Sequence, residues 1–108
     1  MKFAFSTNAF GKFSAEDAIS LIAKAGYAGV ELMLDTPHLF PRDATPAKIA
    51  SICNAASDAG IEFSNANAFP MCAIGDTWNP SWVDDDPEVR KLRVRHTADA
   101  LRLSLIHI

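Results

Sequence analysis

The stretch "SNANAF", from Ser64 to Phe69, sets two amides, Asn65 and Asn67, two positions apart. In an extended segment that spacing puts both side chains on one face, with Ser64 and Ala66 on the other. An amide carries donors and an acceptor, which suits the hydroxyls of a polyol. Asn67, nearer the end of the segment, is the better substrate candidate. Asn8 closes an earlier segment, "KFAFSTN", and offers the same chemistry, with a turn-forming asparagine as the competing reading. His38, in "DTPHLFP", could bind substrate or shuttle a proton, because an unperturbed imidazole titrates near ~6.5. A surface or capping group is the plainer reading of His38, and metal ligation the remotest.

Two further residues belong to this set. Glu31 interrupts the apolar run "AGVELML". A carboxylate there must face a polar interior or find a partner, since burying it unpaired is costly. Its role is open between structural support, the leaning, and substrate contact. Trp78 lies with Asp76 and Trp82 in "MCAIGDTWNPSW". Loops longer than ~12–15 residues are usually functional or disordered. An indole there can stack on a sugar face and exclude water as a lid, or it can pack the loop down or form a subunit contact. No residue is assignable as catalytic. The chain has no glycine-rich phosphate loop, no nucleophile elbow and no zinc spacing. Cys53 and Cys72 lack metal-type spacing and a secretory context, so both read as reduced thiols.

The elements that must position these groups follow from periodicity. Phe3 and Phe5 alternate in a first strand, Lys2 to Asn8. Ser14 with Asp17 resembles a capping box, and Ala18, Leu21, Ile22 and Ala25 then trace one helix face, closed by Gly26. A second strand covers Ala28 to Leu34, whose apolar character suits a covered parallel sheet. Thr45 and Pro46 start a second helix with its stripe at Ile49, Ile52, Cys53 and Ala56, closed by Gly60. The third strand is "IEFSNANAF". Asp86 caps a third helix begun by Pro87, with an expected apolar face at Val94, Thr97, Ala98 and Leu101. Gly26 and Gly60, each after an alanine and before a strand, stand 34 positions apart, one βα repeat. The class is therefore α/β with three consecutive βα units. An open doubly wound sheet and a closed (β/α)8 barrel both fit. A barrel takes ~250 residues, so this chain would be the first three of eight units, truncated. Such a piece leaves an unclosed sheet edge and is expected to be association-prone and inactive alone.

Composition narrows the partners. The 108 residues are 49% hydrophobic and 21% charged, with net charge −3. That balance gives no electrostatic case for nucleic acid or an anionic membrane. The basic run "RKLRVR" follows "DDD" and reads as a solvated helix face. No apolar run approaches the ~20 residues of a membrane helix, and the start lacks a signal-peptide core, so the cytoplasm is the default.

In order, "FSTNAF", "AGYAGVELM" and "AGIEFSN" resemble the opening of the sugar phosphate isomerase/epimerase superfamily, the xylose-isomerase-like TIM barrels. The loops "DTPHLFP" and "NAFPMCAIGDTWNPSW" are similar to those of one poorly characterised subgroup. The resemblance covers residues 1–102. It implies, for the complete protein, a metal-dependent isomerase or epimerase that moves a proton next to the carbonyl of a sugar-like substrate. It also implies a divalent metal, Mn²⁺, Mg²⁺, Co²⁺ or Zn²⁺, held by Glu, Asp and His of later strands that this chain does not contain, so no ligand can be assigned here. Asn8, Glu31, His38, Asn67 and Trp78 would then be substrate-side residues. A homo-oligomer is left open for the complete protein. Alternatives on the same scaffold are an inosose-dehydratase-like lyase, a DNA-repair phosphodiesterase, which the acidic balance disfavours, and a non-catalytic binding relative.

Residues 103–108, "LSLIHI", match the in-frame translation of CTGTCTCTTATACACATC, the mosaic end of transposase-based sequencing libraries. They are expected to be a non-native tail, so that His107 carries no function; a genuine helix end is the alternative.

Overall fold

The computed structural model describes residues 1–74 and 80–107, the side chains of 105–107 excepted. Trp78 and Asp76 therefore lie outside the described residues. The chain alternates strand and helix: β1 (Ala4–Ser6), α1 (Ala15–Lys24), β2 (Gly29–Met33), α2 (Pro46–Ala59), β3 (Glu62–Asn67) and α3 (Pro87–His107), with 3-10 turns at Thr7–Phe10 and Pro41–Asp43. The three strands form one parallel sheet in the order β1-β2-β3. The described residues thus form an α/β arrangement of three parallel strands and three helices, compatible with three βα units.

Local chemistry explains the element boundaries. The Ser14 hydroxyl accepts the Asp17 N–H at 3.1 Å, and the Thr45 hydroxyl accepts the Lys48 N–H at 3.2 Å, so α1 and α2 each begin at a capped turn. Gly26 (φ 91°) and Gly60 (φ 66°) take the left-handed conformation that releases the chain into the next strand. The Asp86 carboxylate accepts the Glu88 N–H at 2.8 Å at the head of α3.

Val30, Leu32 and Leu34 point to the helix side of the sheet, where they meet Ile19 and Ile22 of α1 and Ile49, Ile52 and Ala56 of α2. The α1 stripe is rotated from the expected one. Ala15, Ala18, Ile19 and Ile22 are buried, while Leu21 is exposed. A larger correction concerns α3. Val94 and Leu101 are exposed, and among the described side chains of α3 His96, Ala100 and Leu103 are buried. The helix turns its histidine inward because Phe40 offers a stacking face, 5.6 Å between ring centroids and 15° between planes.

The pairing of β2 with β3 shifts register between Val30 and Glu31, so that Phe63 opposes Val30 and Asn65 opposes Glu31. The extra residue is Ser64. This bulge lets Phe63 and Ala66, three apart, both pack on the core. It also corrects the expected alternation. Ser64 lies on the far side from Ala66, beside Gly29, where a Cβ would come 3.4 Å from the Ser64 Cβ.

Gly29 is required by space. A Cβ there would stand 2.9 Å from the Ala4 Cβ on the neighbouring strand, and neither atom can rotate away. Gly29→Ala is expected to part β1 from β2 and destabilise the fold by about 1–3 kcal/mol. The urea midpoint, read at unchanged m-value, checks this; a midpoint equal to or above the native one would contradict it.

Candidate functional site

The face of the sheet turned away from the helices is polar at its centre. Ser6 of β1 and Asn65 of β3 flank Glu31 of β2 in register, and Asn67 lies opposite Met33 one step further along. The Asn65 Nδ2 donates to Glu31 Oε2 at 2.7 Å, and the Asn67 Nδ2 donates to Glu31 Oε1 at 3.1 Å. Burial pushes the Glu31 pKa up, but hydrogen bonds from Ser6, Asn65 and Asn67 outweigh it and hold the group below the ordinary carboxylate value. Glu31 is therefore an ionised acceptor at neutral pH. A carboxylate stabilised this way is a weak base and a poor proton donor. Each of its oxygens keeps lone-pair capacity beyond the amide it holds, which suits donation from ligand hydroxyls.

The amides are themselves held. Asn67 Oδ1 accepts the Phe69 N–H at 3.0 Å, so its Nδ2 is fixed toward Glu31. Thr7 braces the site from below. Its buried hydroxyl accepts the Met33 N–H at 2.9 Å, tying the end of β1 to the end of β2.

Of the residues named from sequence, the structure brings Glu31 and Asn67 together and adds their neighbours Ser6 and Asn65. The first strand is shorter than the expected Lys2 to Asn8: Asn8 is exposed in the 3-10 turn Thr7–Phe10 that follows β1, because the Ser6 hydroxyl accepts the Asn8 N–H at 3.2 Å and caps that turn. His38 is fully buried, and its Nε2 lies 3.3 Å from the Phe10 carbonyl oxygen. Burial, opposed by the Phe10 and Phe13 carbonyls, lowers its pKa and favours the neutral ring. Nothing in its surroundings joins it to Glu31: its other charged neighbours are Lys48 of α2 and Glu16 of α1. Trp82 meets Arg93 of α3, whose guanidinium lies 5.5 Å from the indole centroid and 5.2 Å from that of Phe69.

Sequence reasoning missed Asp35. This carboxylate is buried just past the end of β2. Its Oδ2 accepts the N–H groups of Met71 at 2.5 Å and Cys72 at 2.7 Å. Its Oδ1 accepts Ala73 at 2.9 Å and its own neighbour Thr36 at 2.8 Å. Asp35 thus fastens the loop after β3 to the end of β2, directly beyond Asn67. An acid at the end of an apolar strand is the only signal in the sequence, and its partners lie 36 to 38 residues away.

Comparison of the chain with protein-family models, with curated proteins and with solved structures found no match. Among the described residues no group of three or more His, Cys, Asp or Glu side chains could hold a metal ion. The carboxylate and amides around Glu31 offer hydrogen-bond acceptors beside donors that already point at the carboxylate. No helix among the described residues is long and apolar enough to cross a membrane.

Proposed function

We propose that the chain is the first three βα units of a (β/α)8 barrel of the sugar phosphate isomerase/epimerase type, and that its polar sheet face is the sugar-binding wall. The observation that carries this reading is the cradle of Asn65 and Asn67 around Glu31 on the face opposite the helices. Sequential parallel strand order and two helices packed together on one side support the barrel-type winding. In a barrel that face is interior, and ligands bind near the C-terminal ends of the strands. Asn67 ends β3 there, next to the loop that Asp35 fastens.

In this reading Glu31 accepts hydroxyl hydrogens from the sugar and orients the carbon chain, and the amides keep the carboxylate ionised and aimed. Asn8 contributes from the rim. Proton transfer next to the carbonyl, with a divalent metal, belongs to the complete cytoplasmic enzyme and to groups on other strands.

Calorimetric titration of the full chain at micromolar concentration with a panel of aldoses, ketoses and their phosphates tests the reading. At least one sugar is expected to bind saturably with Kd of about 1–10 mM, and Glu31→Gln to weaken it about tenfold, the loss of a charge-assisted hydrogen bond. Absence of saturable binding to any sugar, or an unchanged Kd in Glu31→Gln, would overturn it.

A further inference from the structure

On the helix side of the sheet, away from the Glu31 face, an open groove of about 490 Å³ runs between α3 and the Pro41–Asp43 turn. Arg42 reaches it from the turn, and Arg95, Asp99 and Arg102 reach it from one face of α3. Asp99 is shared. Its Oδ2 lies 3.6 Å from Arg42 Nε and its Oδ1 lies 3.2 Å from Arg102 Nη1. Arg95 is exposed and has no ion-pair partner among the described residues. Three guanidiniums against one carboxylate leave two positive charges in excess, in a chain whose net charge is −3. The groove adjoins a second hollow lined by Pro41, Ala44 and Ile49, which gives the polar end an apolar neighbour.

We propose that this groove binds a phosphate group, free or as a monoester. The excess charge matches a phosphate dianion. Guanidinium forks arriving from two directions suit a tetrahedral anion with several oxygens, whereas a planar carboxylate is satisfied by one fork. Asp99 pairs with Arg42 and Arg102 and so competes with the incoming anion for both. The apolar hollow beside it would take the organic part of an ester. This site is independent of the sugar-binding reading of Glu31.

The test is titration of the full chain with inorganic phosphate, and separately with phenyl phosphate, at constant ionic strength. Saturable binding with Kd of about 1 mM is expected for inorganic phosphate. Arg95→Gln, at an exposed position that leaves packing untouched, is expected to weaken it about tenfold. Asp99→Asn is expected to tighten it severalfold, because it removes the competing charge. Glu31→Gln is expected to bind phosphate as the native chain does. Tighter binding of phenyl phosphate identifies an ester as the occupant; equal binding identifies free phosphate. The proposal is overturned by no saturation up to about 50 mM, by an unchanged Kd in Arg95→Gln, or by weaker binding in Asp99→Asn. Affinity for oligonucleotides that grows with length, with phosphate alone silent, would overturn it in favour of a polyanion surface.

Discussion

Asp35→Asn is expected to detach the loop after β3 and to cost about 2 kcal/mol or more of stability. The native carboxylate is buried and accepts four backbone N–H groups, three of them from the successive residues Met71, Cys72 and Ala73. The isosteric amide keeps one acceptor oxygen. Its NH₂ must face either the Met71 and Cys72 donors or the Ala73 and Thr36 donors, so at least two backbone N–H groups lose their partner. Each buried donor left unpaired costs about 1–3 kcal/mol. Against a typical domain stability of about 5–15 kcal/mol, this is a large fraction. The effect is local before it is global. Hydrogen exchange at Met71, Cys72 and Ala73 is expected to accelerate sharply in Asp35→Asn, while β2 amides keep their order of protection. A variant within about 0.5 kcal/mol of native, with the loop amides still protected, would contradict the fastening role.

Acidification from pH 7 to pH 5 is expected to destabilise the chain progressively, through His38 and His96. Both rings are buried, and each has one nitrogen without a hydrogen-bond partner among the described residues, His38 Nδ1 and His96 Nε2. Protonation would place a proton on that nitrogen with nothing to accept it. For His96, burial lowers the pKa; Asp35 and the Ala68 carbonyl oppose this, while Arg93 and Arg42 add to it. For His38, burial again leads; the Phe10 and Phe13 carbonyls and Glu16 oppose it, and Lys48 adds to it. The sign follows directly. Each folded-state pKa lies below the unfolded value, so the unfolded chain binds more protons and stability rises with pH. The contribution is fully present above the unfolded pKa of about 6.5 and is lost as pH falls from there through the lower folded-state value. Glu31 does not titrate in this window, because hydrogen bonds from Ser6, Asn65 and Asn67 hold its pKa below the ordinary carboxylate value; its contribution is lost only in stronger acid. Urea midpoints between pH 8 and pH 5 check the slope. His96→Phe, which can keep the stack on Phe40, is expected to flatten it. A midpoint that stays level or rises on acidification would contradict the account.

What was legible in the sequence is what local chemistry decides. Ser14, Thr45 and Pro46 start their helices through bonds or constraints that span three residues, and Gly26 and Gly60 end them through one backbone conformation. The apolar stripe of α2 was readable because only one face of that helix is apolar. The α3 stripe was not, because "RKLRVRHTADALRL" carries apolar residues on more than one face. There the choice fell to long-range packing: Phe40 and the core accept His96, Ala100 and Leu103.

The site divides in the same way. Glu31 and Asn67 stood out because polar groups in an otherwise regular strand need a reason. Their meeting, with Asn65 as second donor, depends on a register shift at Ser64 that no alternation pattern reveals. His38 has the composition of a ligand and the placement of a packed residue, and only the fold separates the two. Asp35 is the opposite case: its three loop partners come together only after β2 and β3 have paired.

The central claim is that the Glu31 face is a sugar-binding wall, and side-chain amide NMR tests it most directly. The Asn65 and Asn67 NH₂ resonances of the full chain are followed during titration with the sugar that binds best. Both are expected to shift saturably with one Kd, while backbone amides of α1 and α2 stay in place. Saturation seen by calorimetry with no movement of the Asn65 and Asn67 resonances would contradict the account.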